Sequence, residues 1–195
     1  TWAGFVPGAE KIATAGRDGK ILVWNAADTT YDGLLHTLDC GPGEITDVAV
    51  ASDGSALLAQ RVGEVLVWDL ATGIRRCVIK ADGYRDAGFT GDARGICCND
   101  GNSLRLFDAN TGESRAASDK SMAVAHIVPG TNRFVADSPE GLRLLDETLQ
   151  IVCRLAPASR WSETALIRGG TQLVAFGEDG SCLFFDLGRP NASID

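Results

Sequence analysis

The chain has 195 residues, of which 45% are hydrophobic and 23% charged, a composition that can bury a sizeable core. Its formal net charge of −8 argues against a general nucleic-acid-binding protein, which would carry a basic stripe or patch. No stretch approaches the roughly 18 uninterrupted apolar residues of a membrane span, and no signal peptide is evident. The chain begins with Thr1 inside a predicted strand, so we expect a piece of a longer protein.

Five segments share one pattern, in which a glycine-containing turn precedes a short apolar run that ends in Asp or Asn. The runs are Ile21–Asn25, Val65–Asp69, Leu104–Asp108, Leu142–Asp146 and Cys182–Asp186. Their closing residues are separated by 44, 39, 38 and 40 positions. The glycines that precede the runs, at positions 19, 63, 101, 141 and 180, keep nearly the same spacing. This regular period indicates a repeat architecture.

Each repeat predicts four strands, which we label a to d in chain order. A second turn signal lies upstream in each repeat, for example Pro7-Gly8 and Asp53-Gly54. Strand a precedes this turn, strand b follows it, and the apolar run is strand c. Strand d is the most polar and is expected at Leu34–Leu38, Arg75–Lys80, Glu113–Ala117, Ile151–Leu155 and, weakly, Ala192–Asp195.

The inner strands do not alternate between apolar and polar residues. Ile21–Trp24 and Leu183–Phe185 are apolar on both faces, so their sheets must be covered on both sides. Radially stacked four-stranded blades provide that cover, because each sheet lies between two neighbours. The predicted fold is therefore an all-β propeller with five antiparallel blades, and a β-sandwich is a distant alternative. The blades are expected at approximately residues 1–39, 40–81, 82–119, 120–157 and 158–195.

Over essentially the whole chain, the repeats resemble those of the WD-repeat (WD40) family. Trp68-Asp69 is the dipeptide that names the family, and the other four closing dipeptides are degenerate forms of it. The first repeat also matches the structural hydrogen-bond set of the family, with Thr14, Asp18 and Trp24. The other structural residues that the resemblance implies are Trp68, Asp69, Asp108, Asp146 and Asp186.

The resemblance also implies a ring of about seven blades. We therefore expect the five repeats to be part of a larger propeller, with a five-bladed ring as the alternative. An incomplete propeller leaves an uncovered blade face and open sheet edges at each end, which promote aggregation.

No arrangement typical of an enzyme or a metal site is present. The sequence has no G-x-S-x-G, P-loop, H-E-x-x-H or G-x-G-x-x-G motif, and His36 and His126 lie 90 residues apart. The six cysteines follow no ligand spacing, so we expect inert core thiols in a reducing, intracellular compartment, either the cytoplasm or the nucleus. We expect neither catalysis nor a cofactor or metal.

WD-repeat proteins generally present a rigid platform to protein partners, and the resemblance implies that role here. We expect a protein or peptide partner, with no direct nucleic-acid or membrane contact. The alternative is a structural or regulatory array within a longer multidomain protein, such as a nucleotide-switch ATPase that carries WD repeats.

Strand alternation predicts where such a partner docks. If Ile45, Tyr84, Ser121 and Trp161 are inward anchors of strand a, their neighbours point outward at the rim that the b–c turns also reach. We expect the partner-binding residues to be Arg17, Glu44, Thr46, Arg61, Arg85, Lys120, Met122, Arg160, Ser162 and Glu178. Five are basic and two acidic, a local charge of +3 that favours an acidic or phosphorylated peptide. Alternatively, these arginines are solvated or paired with nearby acids.

Overall fold

The five repeats form five separate antiparallel sheets, one for each repeat. The computed structural model describes residues 1–28, 32–81, 83–84, 86–100, 103–118, 121–157 and 161–188. Four of the sheets contain four strands in the order a-b-c-d, and the described part of the fifth contains three. The predicted strand at Ala192–Asp195 lies outside the described residues.

The sheets are called blades 1 to 5, and their strands are numbered in chain order. Blade 1 contains β1 (Trp2–Phe5), β2 (Lys11–Ala15), β3 (Lys20–Asn25) and β4 (Leu34–Asp39). Blade 2 contains β5 (Ile45–Val50), β6 (Ala56–Arg61), β7 (Gly63–Asp69) and β8 (Arg75–Ala81). Blade 3 contains β9 (Asp86–Phe89), β10 (Gly95–Asn99), β11 (Leu104–Asp108) and β12 (Ser114–Ala117). Blade 4 contains β13 (Ala123–Ile127), β14 (Phe134–Asp137), β15 (Arg143–Leu145) and β16 (Ile151–Arg154).

Blade 5 contains β17 (Trp161–Ile167), β18 (Gln172–Gly177) and β19 (Cys182–Asp186), with a 3-10 turn at Arg168–Gly170. The predicted outer strands of blades 1 to 4 agree with β4, β8, β12 and β16 to within one residue at each end. Within the described ranges, no helix is long and apolar enough to cross a membrane.

The core lies between the blades and is divided into four layers. Trp68 of blade 2 is 3% exposed and packs in the layer shared with blade 1. Phe107, Leu145 and Phe185 occupy the same position in blades 3, 4 and 5, and each packs in the layer shared with the preceding blade. Neighbouring first strands also approach one another, since β5 contacts β9 and β13 contacts β17. Coverage of the inner strands on both faces is thus confirmed for the internal blades.

The a–b turns of successive blades contact each other along one end of the molecule. Gly54 adopts a φ of +70°, and a Cβ there would lie 2.2 Å from the carbonyl oxygen of Pro7 in blade 1. A Cβ on Gly91 would lie equally close to the carbonyl oxygen of Thr131, to which the Gly91 amide donates a 3.0 Å hydrogen bond. Glycine at these turns therefore permits the close approach of neighbouring blades.

The two end blades each expose one apolar face. One strand-c position lies immediately before that of Trp24, Trp68, Phe107, Leu145 and Phe185. In blades 1 to 4 its side chain is at most 5% exposed, and the residues are Val23, Val67, Leu106 and Leu144. In blade 5 the equivalent residue, Phe184, is 55% exposed. At the other end, Phe5 of blade 1 is 76% exposed, while its equivalent Phe89 in blade 3 is 9% exposed. In the described part of the chain, the two end faces therefore do not cover each other.

Candidate partner-binding rim

Three of the predicted rim residues come together between blades 1 and 2. We call the end of the blades that carries the b–c turns and the links between blades the upper rim. Arg17, Glu44 and Thr46 line a cleft of about 130 Å³ there, together with Trp2. Arg17 and Glu44 are exposed, and neither side chain makes an ion pair or hydrogen bond within the described residues. The cleft thus offers a partner one side-chain cation, Arg17, and two exposed carboxylates, Glu44 and Asp47.

A β-bulge sets the position of Thr46. Ile45 pairs with Arg61 and Asp47 pairs with Gln60, so Thr46 is an extra residue in its strand. Its hydroxyl donates a 3.1 Å hydrogen bond to the Gln60 carbonyl. The same irregularity makes Ser162 the extra residue in β17. Bulges of this kind re-aim side chains at sheet ends, and their position cannot be read from strand alternation.

Arg61 is not available to an acidic partner in the way the sequence suggests. Its Nε donates to Oε2 of Glu64 over 3.0 Å, its second terminal nitrogen contacts the same oxygen at 2.5 Å, and its remaining nitrogen donates to the Pro42 carbonyl over 2.9 Å. Lys80 contacts the other oxygen of Glu64. The hydrogen bonds from Lys80 and Arg61 lower the pKa of Glu64 to about 2. Arg61 is thus paired with a neighbouring acid, which was the alternative to binding a partner.

The outward orientation expected for Met122 is wrong. Met122 is 8% exposed and packs in the layer between blades 3 and 4, whereas Ser121 is exposed and has a φ of 77°. Met122 therefore holds the anchor position that was expected for Ser121. The other expected anchors, Ile45, Tyr84 and Trp161, are confirmed as packing residues of the layers between blades.

The remaining predicted rim residues are described only in part. Glu178 is exposed in the b–c turn of blade 5, and nothing is described of the Ser162 side chain. Arg85, Lys120 and Arg160 lie outside the described residues. The proposed charge of +3 thus has one described and unpaired cation, Arg17.

The upper rim also carries three carboxylates and one exposed apolar side chain that strand alternation did not predict. Asp47, Asp86 and Glu163 are exposed near the start of the first strands of blades 2, 3 and 5. Desolvation raises the pKa of Asp47, and the Asp86 carboxylate adds to the increase. Val62 at the b–c turn of blade 2 is 91% exposed. The rim is therefore more acidic near its inner edge than the residue count predicts.

The closing acids of the repeats are turn residues. Oδ1 of Asp69 accepts the amides of Ala71 and Thr72 at 3.0 and 2.9 Å, and its Oδ2 accepts a 2.7 Å hydrogen bond from Arg76. Asp108 accepts two turn amides in the same way and pairs with Arg115. Asp146 accepts the amides of Thr148 and Gln150, and Asp186 accepts that of Gly188. These contacts support the structural roles that the resemblance implies.

The structural set expected in repeat 1 is partly formed. The indole nitrogen of Trp24 donates a 3.2 Å hydrogen bond to the Thr14 hydroxyl. Oδ1 of Asp18 instead accepts the Lys20 amide at 3.2 Å, within its own turn. Trp24 is half-buried, since it lies on the uncovered face of blade 1.

Within the described ranges, no three His, Cys, Asp or Glu side chains group as metal ligands. Cys40, Cys97 and Cys98 are buried, and burial raises the pKa of Cys40 to about 11 and that of Cys97 to about 12. Such thiols are protonated at neutral pH and are weak nucleophiles. The expectation of a core thiol is wrong for Cys182, which is exposed on the outer face of blade 5.

The chain is similar in structure to the β-propeller domain of Cps50 (Swd1) from Myceliophteria thermophila. The TM-score is 0.71 at 16% sequence identity, and the match covers 99% of this chain and 68% of that chain. No protein-family model matches the sequence, and no curated protein matches it. The structural likeness shows a β-propeller fold, while the WD-repeat family is a resemblance carried by the repeat motifs.

Proposed function

We propose that this chain is a non-catalytic interaction domain that binds a protein partner through its upper rim. The supporting observation is the cleft between blades 1 and 2, where the exposed Arg17 and Glu44 have no side-chain partner in the described residues. An arginine and two carboxylates beside the aromatic Trp2 offer charge complementarity to a peptide.

The partner contributes an acidic or phosphorylated residue to Arg17. A guanidinium binds carboxylate or phosphate through paired hydrogen bonds, and Arg17 makes no ion pair within the described residues. Asp47 lines the same cleft and repels an acidic group, so the contact is confined to the Arg17 guanidinium. Glu44 then selects a basic or hydroxyl-bearing neighbour within the peptide.

The test compares charge-reversed variants on an immobilised library of phosphorylated, acidic, neutral and basic peptides. Arg17→Glu should remove binding to phosphorylated and acidic peptides without lowering the melting temperature. Arg75→Glu is the matched control, because Arg75 is an exposed arginine on the outer strand β8. Unchanged binding by Arg17→Glu would contradict the proposal.

A second candidate function, a structural array within a longer protein, is favoured by the end faces of blades 1 and 5. We propose that further blades cover Phe5 at one end and Phe184 at the other. Hydrogen exchange of the segment alone and of a longer chain that includes its flanking sequence distinguishes the cases. Slower exchange of β3 and β19 in the longer chain supports the array, and identical exchange contradicts it.

A further inference from the structure

A basic side chain bridges two of the four junctions between blades. Nζ of Lys11 in blade 1 donates a 3.0 Å hydrogen bond to the carbonyl of Leu70, which follows the closing acid of blade 2. Arg133 of blade 4 donates in the same way to the carbonyl of Leu187 in blade 5, over 3.3 Å. Lys11 and Arg133 hold equivalent positions in their blades. The backbone carbonyl of Lys11 accepts the amide of Val6, and that of Arg133 accepts the amide of Val128, in each case five residues earlier.

In blade 3 the position equivalent to Lys11 and Arg133 is a glycine, Gly95. The Gly95 carbonyl accepts the amide of Thr90, again five residues earlier. A Cβ on Gly95 would point at Thr90 Cγ2 and Leu106 Cδ1, at 2.9 and 3.2 Å. The junction between blades 3 and 4 therefore lacks the basic side chain that Lys11 and Arg133 supply elsewhere.

A cleft of about 350 Å³ occupies this junction and is called the blade 3–4 cleft. Thr90 and Leu106, the two residues that a Gly95 side chain would meet, both line it. Leu106 and Ala116 contribute apolar surface, and Asn132 and Glu147 contribute polar groups. The cleft lies among the a–b and c–d turns, at the end of the blades opposite the upper rim.

The charges around the blade 3–4 cleft favour a cation. Asp92 and Glu147 line it, and the Glu147 side chain is exposed with no ion pair in the described residues. Arg115 also lines it, but its guanidinium pairs with Asp108, which offsets its charge. At the two bridged junctions the acceptor is the backbone carbonyl of the residue after the closing acid. In blade 4 that residue is Glu147.

We propose that the blade 3–4 cleft binds a lysine or arginine side chain of a partner protein, in the place that Lys11 and Arg133 occupy at other junctions. The methylene stem packs on Leu106 and Ala116, and the charged end reaches the Glu147 carboxylate. This second interaction site is separate from the upper rim, so a partner can contact both ends of the propeller.

The experiment titrates the ¹⁵N-labelled chain with Nα-acetyl-lysine amide and Nα-acetyl-arginine amide. The uncharged norleucine and the acidic glutamate derivatives are the comparison probes. We expect the backbone amide signals of Ala116 and Thr148 and the side-chain amide signal of Asn132 to shift. These shifts should be saturable and should occur with the two cationic probes only. Glu147→Gln should weaken binding about threefold to fivefold, as expected for an exposed ion pair. Glu10→Gln, an exposed acid beside the bridged junction of blades 1 and 2, should leave binding unchanged.

Ala116→Leu should abolish binding by filling the apolar part of the cleft. Because that variant adds volume, its folding is checked by the remaining amide spectrum, and Glu147→Gln at the exposed turn provides the independent arm. Shifts caused by the glutamate probe would overturn the proposal in favour of an anion site at Arg115. Equal responses to lysine and norleucine derivatives, or no saturation with any probe, would overturn it as well.

Discussion

Arg76 donates a 2.7 Å hydrogen bond to Oδ2 of Asp69, while the other carboxylate oxygen accepts the amides of the c–d turn. One side chain thus closes the turn and holds the outer strand β8 against strand β7. Arg115 and Asp108 repeat this pair in blade 3. The acid of the Trp-Asp dipeptide is therefore a stabilising element in this chain rather than part of its binding surface.

Replacing Asp69 should destabilise the chain more than replacing Asp186. Asp69→Ala removes the acceptor of two turn amides and the Arg76 pair, and we expect a loss of about 2–3 kcal/mol in the free energy of unfolding. Asp186→Ala removes one contact described for its side chain, to the Gly188 amide, and should cost about 1 kcal/mol. Urea unfolding measures both. Equal losses would contradict the role assigned to the Arg76 pair.

Stability should fall in acid because two paired carboxylates must be protonated. Hydrogen bonds from Lys80 and Arg61 lower the pKa of Glu64, and one from Arg76 lowers that of Asp69, in each case to about 2. Their ordinary values are 4.5 and 3.8, so the stabilisation is fully present above those values and is lost as the pH falls towards 2.

Melting curves between about pH 6 and about pH 3 test this dependence, because these limits lie roughly one to two pH units on either side of the ordinary values. The wild type should lose melting temperature over the interval, and Glu64→Gln should lose less. Glu113→Gln serves as the control, since Glu113 is exposed and its carboxylate makes no described ion pair. The same pH slope in all three proteins would refute the assignment to Glu64.

The two strand-c tryptophans should differ in their contribution to stability. Trp68 is buried between two blades, so Trp68→Ala should cost about 3–5 kcal/mol. Trp24 is half-buried on an end face, and Trp24→Ala should cost about 1–2 kcal/mol, including the lost Thr14 bond. The repeat motifs alone imply the same structural role for both. Chemical unfolding decides, and a larger loss for Trp24→Ala would mean that its face is covered.

Two glycines with nearly the same backbone conformation should respond differently to alanine. Gly8 and Gly54 have φ of +68° and +70°, but no atom lies within 4 Å of a Cβ built on Gly8. Gly8→Ala should therefore cost about 1–2 kcal/mol, the cost of the left-handed conformation. Gly54→Ala adds a collision with the Pro7 carbonyl and should lose a further 1–3 kcal/mol, roughly the range for overpacking. Similar melting temperatures for the two variants would show that the contact between the turns is loose.

The sequence predicted the blades well because their signals are local and repeated. A glycine turn and an apolar run ending in an acid recur five times, so an error in one repeat is visible against the others. The rim was predicted less well, because it depends on register. A bulge at Thr46 and the one-residue shift that buries Met122 cannot be seen in the spacing of turns. The pairing of Arg61 with Glu64 also requires knowledge of which side chains share a strand end.

The blade 3–4 cleft was not predicted for a related reason. The cleft arises because Gly95 lacks the basic side chain that Lys11 and Arg133 have. That these three residues hold equivalent positions is seen only when the strands are paired. The carboxylates Asp47 and Asp86 were overlooked because they follow the predicted anchors by two positions.

The central claim is that five blades of a propeller leave an apolar face uncovered at each end. Light scattering of the purified chain, with binding of a hydrophobic dye, tests it most directly. The account predicts self-association and dye binding, and it predicts that the double variant Phe5→Glu and Phe184→Glu suppresses both without lowering the melting temperature. A compact, monodisperse wild-type monomer that binds no dye would contradict the claim and indicate a closed five-bladed ring.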